Sequence, residues 1–147
     1  MNLSDFEEYL AKGIARRITP NKFRAGSLVD DSSKRRKFLE QLTKNVVLID
    51  ENANYFIEEV YDVLISLIRA RMLLDGFEAS GNYSHEAEVS YLKELKFADF
   101  EVNLMNELRQ FRNGVKYYGK RYNKETAEKI LGFLKSFYPK LVELTKK

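Results

Sequence analysis

The stretch ENANYFIEEVYDVLISLIRARMLLDGFEAS, residues 51–80, decides the fold. Tyr55, Phe56, Val60, Val63, Leu64, Leu67, Ile68 and Leu74 recur at helical spacing and make a wide apolar surface. So broad a surface belongs to a central bundle helix, over about Glu51–Leu74, with a polar edge of Asn54, Glu58, Asp62 and Arg69. Asp75-Gly76 ends it, since glycine accepts the left-handed C-cap conformation. The most apolar run, VYDVLISLIRARMLL, is interrupted by Asp62, Arg69 and Arg71, which excludes a membrane span.

Outward from this helix, the same periodicity continues in both directions. Ser4 is placed to cap a first helix, with Phe6, Leu10 and Ile14 on one face, and the ITP at 18–20 ends it. A second helix is expected from about Asn21 to Lys44, with Leu28, Phe38, Leu39 and Leu42 apolar. Its run Lys34–Lys37 reads as a solvated face, because Asp30 and Asp31 stand four residues before Lys34 and Arg35. Beyond the loop GFEASGNY, Ser84 is placed to cap a short helix through Leu95. A fifth helix is expected over about Ala98–Tyr118 and a sixth from about Asn123, with Pro139 forcing a kink or break near Phe137. No segment reads as a strand. The expectation is a single all-α domain over residues 1–147, an up-and-down antiparallel bundle joined by short connections.

Composition narrows the chemistry. With 147 residues, 44% hydrophobic and 32% charged, the chain is long enough for a real core and is not disordered. The absence of cysteine excludes disulfides and thiolate chemistry, and a single histidine, His85, argues against a His-based metal site or a Ser/His/Asp triad. No cofactor motif of the GxxxxGK[ST], GxGxxG or HExxH type occurs, and neither cofactor nor metal is expected. The start MNLSDFEEYL is acidic and amphipathic, unlike a signal peptide, so a cytoplasmic location is expected.

Charge is unevenly spread. Residues 109–124 hold six basic side chains and no acid, whereas the whole chain carries only +3, so the remainder is acidic. Such asymmetry points to a local anionic partner. On the fifth helix, Phe97, Phe100, Leu104, Leu108, Phe111, Val115 and Tyr118 form a stripe expected to be core. Arg112 falls at its boundary, with Arg109 and Lys116 just beyond. Farther round come Asn106, Gln110, Asn113 and Tyr117. Two or three cations would serve the negative end of the helix dipole. Arg109, Arg112, Lys116, Lys120 and Arg121 exceed that need, and beside amides and tyrosines they suit phosphates and stacked bases. Gly114 sits inside the helix at a cost of about 1 kcal/mol, which points to close packing, a dimer contact or early termination.

The pieces FEEYLAKGIARRITPN, ENANYFIEEVYDVLISLIRARMLLDGFEAS, YSHEAEVSYLKE and LRQFRNGVKYYGKR, in that order, resemble HEPN-domain proteins over roughly residues 6–135. The resemblance implies an up-and-down helical bundle that commonly dimerises, with its motif on a late helix facing a cleft between protomers. HEPN proteins are often RNA-cleaving toxins or partners of small nucleotidyltransferases in toxin–antitoxin-like pairs. Catalytic members carry arginine, a polar residue and, after four to six residues, histidine. Arg112 and Asn113 match the start of that motif, and Tyr117 occupies the histidine slot. An accompanying acid would be Glu59 or Asp62. An unperturbed tyrosine titrates near pH 10, far from the optimum for a general base at neutral pH. The resemblance therefore implies binding of RNA, a nucleotide or a nucleotidyltransferase partner, without efficient cleavage. Its alternative is a metal-independent ribonuclease using Arg112 with Tyr117 or His85 moving the proton. A third expectation is that Tyr117 or its neighbours accept a nucleotide from the partner transferase.

Overall fold

A computed structural model describes residues 3–147. Its elements are α1 (Phe6–Ala11), β1 (Ala15–Arg17), α2 (Lys22–Asn45), a 3-10 turn (Asp50–Asn52), α3 (Ala53–Asp75), β2 (Phe77–Ala79), α4 (Ser84–Glu94), α5 (Asp99–Tyr118) and α6 (Lys124–Thr145). The fold is thus all-α apart from one small sheet.

The central helix is α3. From Val63 to Ile68 every residue is buried, so no solvated stripe remains along that length. Helices α2, α4, α5 and α6 all pack against it. Leu64, Leu67 and Ile68 are fully buried, and truncating any one to alanine costs about 2–5 kcal/mol. Close approach of α2 is sealed by Ser32, whose buried hydroxyl donates to the Val63 carbonyl at 2.8 Å. Gly76 caps α3 with φ 86°, as its sequence position suggests. A Cβ there would lie 2.9 Å from the Ile18 carbonyl oxygen, so glycine is needed for space as well as conformation. Asn21 and Asn123 cap α2 and α6 by accepting from the Arg24 and Thr126 amides.

Several expectations fail for identifiable reasons. The first helix stops at Ala11, and Gly13, with φ 75°, turns the chain into β1. That strand pairs antiparallel with β2, Ala15 opposite Ala79 and Arg17 opposite Phe77, so Ile14 leaves the helical face predicted for it. Two three-residue strands carry too short a pattern to be read locally. Ser4 is not the cap of α1; Asp5 stands at that position without a side-chain bond. Nor does Ser84 cap α4: Tyr83 precedes it in a left-handed conformation, φ 68° and ψ 8°. For a non-glycine residue that backbone costs about 1–2 kcal/mol. Phe38 and Tyr55, assigned to apolar faces, are 53% and 67% exposed. Helix α6 runs through Pro139 without a break.

The face of α5 is also corrected. Val102, Met105 and Leu108 point into the core, with Leu104, Phe111 and Val115 half-buried, while Phe100 and Tyr118 are 64% and 76% exposed. The apolar stripe is rotated because Glu101 and Asn106 are also buried. Glu101 accepts from Lys140 of α6 and from the Ala98 amide, which satisfies its charge inside the fold.

Candidate functional site

The basic end of α5 is shaped by Gly114 and what packs over it. Tyr122, just past the helix, lays its hydroxyl against Gly114 so closely that a Cβ would collide with it. The same ring meets Phe111 edge-on at 4.8 Å. Close packing is therefore the reason for this glycine, and the approaching group is a phenol. Termination happens five residues on: Gly119 adopts φ 62°, and the Lys120 amide donates to the Gly114 carbonyl at 3.0 Å, closing the helix. Asn54 of α3 fixes the exit, donating to the Lys120 carbonyl and accepting from the Tyr122 amide.

A groove of about 440 Å³ lies between residues 81–86, which lead into α4, and Arg109, Asn113 and Tyr117 on α5. His85 is in its wall. Its Nδ1 lies 2.8 Å from the Tyr61 hydroxyl on α3 and 3.8 Å from Glu88 Oε1. Glu88 is itself buried and takes a two-pronged bond from Arg69, Nε at 2.6 Å and Nη2 at 3.1 Å. Above Tyr61, the Arg112 guanidinium stacks 5.4 Å from the ring centroid. One chain of contacts thus runs from the core pair Arg69–Glu88 through His85 and Tyr61 to Arg112.

This arrangement sets the protonation states. Burial, reinforced by Arg69, Arg112, Arg109 and Lys116, pushes His85 down from 6.5 to about 4, so the imidazole is neutral near pH 7. Burial holds the Tyr61 phenol protonated far above its ordinary range, with Glu88 adding to the effect. Burial also lifts Glu88 above the usual carboxylate range, against the opposing pull of Arg69. A buried phenol O–H needs an acceptor, and neutral Nδ1 is in place to accept it. The imidazole hydrogen then sits on Nε2, which keeps a donor on that nitrogen.

The residues singled out in the sequence divide into three groups. Arg109, Asn113 and Tyr117 line the groove, while Arg112 stacks over Tyr61 and Lys116 lies over the Tyr117 ring. Arg109 is also bound within the fold: Nε donates to Asn106 at 2.8 Å and Nη2 lies 3.7 Å from Glu86. Lys120 and Arg121 lie past the helix end, and Arg121 borders a separate recess with Tyr55 and Tyr122. Glu59 and Asp62 face α2 instead, where Arg35 reaches them at 3.5 and 3.8 Å. Neither acid lines the groove. In the run Lys34–Lys37, read as a solvated face, Lys34 pairs with Asp30, Arg35 with Asp31 and Arg36 with Glu40.

Sequence reading gave no site role to Tyr61, Arg69 or Glu88, and named His85 only as an alternative proton-transfer group. Polar residues on a helix otherwise filled with core side chains were the only signal available for them. A larger apolar groove, about 600 Å³, lies between α2 and α6, but its rim of Arg36, Glu40, Glu128 and Lys135 has balanced charge. Among the described residues, no cluster of three or more metal-ligating side chains forms, and no helix is long and apolar enough to cross a membrane. No protein-family model matches this chain, nor does any curated protein.

Proposed function

We propose that this protein is a HEPN-like, up-and-down helical bundle that acts as a homodimer and binds RNA through the groove between α4 and α5. The observation that carries the reading is a groove lined by Arg109, Asn113, Tyr117 and a neutral His85, with Arg112 stacked over Tyr61, the bonding partner of that histidine, and Lys116 over the Tyr117 ring. Arginine offers a planar fork of donors that matches phosphate oxygens, and lysine adds a mobile point charge. With hydrogen on Nε2, His85 donates to the same oxygens. Tyr117 leaves the motif without a residue suited to proton abstraction at neutral pH, so binding without efficient cleavage fits the chemistry best. A small nucleotidyltransferase carrying or delivering a nucleotide is the partner that the resemblance adds to this reading.

The test is fluorescence anisotropy with labelled RNA oligonucleotides at several salt concentrations. Arg112→Ala with Lys116→Ala should weaken binding at least tenfold and flatten its dependence on salt. Unchanged affinity in that double variant, or no RNA binding by the parent protein, would sink the reading. Light scattering after size exclusion checks the dimer, and a monomer at micromolar concentration would remove that part.

A second reading is favoured by one observation: His85 shares a groove with the motif on α5. With its hydrogen moved to Nδ1 and the Tyr61 hydroxyl turned to accept it, the neutral imidazole can take the proton of an RNA 2′-hydroxyl at Nε2, with Arg112 steadying the phosphate. This reading requires metal-independent cleavage that His85→Gln abolishes and Tyr117→Phe does not. Intact RNA after prolonged incubation with the parent protein would exclude it.

A further inference from the structure

We infer that the groove between α4 and α5 is built for unpaired nucleobases, with Tyr83 and Tyr117 as the surfaces on which they stack. This rests on the RNA-binding reading and names the form of RNA that the site selects. Both tyrosines line the groove, Tyr83 beside the start of α4 and Tyr117 on α5, and they are 66% and 64% exposed. Neither exposure is what core packing requires of a large aromatic side chain.

Tyr83 adds an independent observation. It holds a left-handed backbone, φ 68°, that glycine or asparagine adopts more readily. Strain of this kind persists where surrounding structure imposes it, and here it falls at a groove wall carrying an exposed aromatic ring. Tyr117 has its own cation, since Lys116 Nζ lies 5.9 Å from the ring centroid. A base stacked on Tyr117 would therefore have a phosphate-binding ammonium beside it. Among the other groove groups, the Asn82 and Asn113 amides and the Ser84 hydroxyl donate and accept as base edges do, while Glu86 is held by Arg109 and by the Tyr9 hydroxyl.

A duplex cannot use these features. Its base faces are hidden in their own stack, leaving a protein mainly phosphates and groove edges. Unpaired bases present open faces, and each contact with an aromatic ring strengthens binding by roughly tenfold or more, with little regard to sequence. Cations alone would bind either form. The tyrosines make the distinction.

The experiment compares a short single-stranded RNA with the same sequence annealed to its complement, by anisotropy, using the full chain. Tyr83→Gly relieves the backbone strain, so it should melt no lower than the parent, while losing about tenfold in affinity for the single strand. Tyr117→Ala should lose a similar factor, and neither change should alter duplex binding. The expected parent preference for the single strand is tenfold or greater. If Arg112→Ala with Lys116→Ala weakens binding while Tyr83→Gly and Tyr117→Ala stay within twofold, the stacking role is overturned and the RNA-binding reading survives. Equal affinity of the parent for duplex and single strand overturns the inference in the same way. Loss of every RNA interaction in the parent removes both.

Discussion

Acidification should loosen this fold through His85, and the effect can be isolated because the chain has one histidine. Burial and the cations Arg69, Arg112, Arg109 and Lys116 depress its pKa from 6.5 to about 4. Tyr61 and Glu88 are its other polar neighbours, and Glu88 is tied to Arg69. Between these two pH values the unfolded chain binds a proton that the folded chain refuses. Stability therefore rises with pH across that window, and what is present above pH 6.5 is lost as pH falls toward 4. Each pKa unit corresponds to about 1.4 kcal/mol, so the ceiling is roughly 3 kcal/mol. The imidazole is 35% exposed, and solvent screening reduces the expected loss to about 1–2 kcal/mol. Urea unfolding at about pH 7 and about pH 4.5 measures it, with His85→Gln as the reference. Glutamine stays neutral, so the parent should lose about 1–2 kcal/mol more than the variant over that interval. Titration of the imidazole by NMR gives the midpoint directly. A midpoint at or above about 6, or equal pH dependence in both proteins, would refute the electrostatic account of the groove.

Three further outcomes follow from the packing. Glu88→Ala strands the Arg69 guanidinium and should cost about 3 kcal/mol in chemical denaturation, while replacing both residues with apolar ones of similar volume should recover most of that loss. Gly114→Ala should lower the melting temperature when Tyr122 is present, but in a Tyr122→Phe background the helix preference for alanine, about 1 kcal/mol, should appear as a gain. Gly76→Ala combines a positive φ with a clash against the Ile18 carbonyl and should destabilise by at least about 2 kcal/mol; a melting temperature within a degree of the parent would contradict the packing of that turn.

The central helix was legible because its apolar residues cover a wide arc of the 3.6-residue period, leaving one place for it in any packed domain. The helix starts near Asn21 and Asn123, the stop at Gly76 and the paired charges of Lys34 and Arg35 were legible for a similar reason. Each depends on neighbours within four residues. The burial of α5 was not, since arithmetic on one helix selects its most apolar arc and cannot know that Lys140 will neutralise Glu101 from α6. Phe100 and Tyr118 were thereby assigned to the core and lie outside it.

Similarly, the sequence singled out Arg112, Asn113, Lys116 and Tyr117 as an unusual basic strip, because their density and spacing are local facts. Pairing that strip with His85, 27 or more residues upstream, required the placement of α4 beside α5 on α3. Tyr61 became part of the site only because its hydroxyl reaches that histidine from the core helix. Helical periodicity says which face turns inward, and the composition of a helix end says what it attracts. Which helix stands opposite is a long-range packing outcome, and on it depend the groove, the neutral imidazole and the left-handed Tyr83.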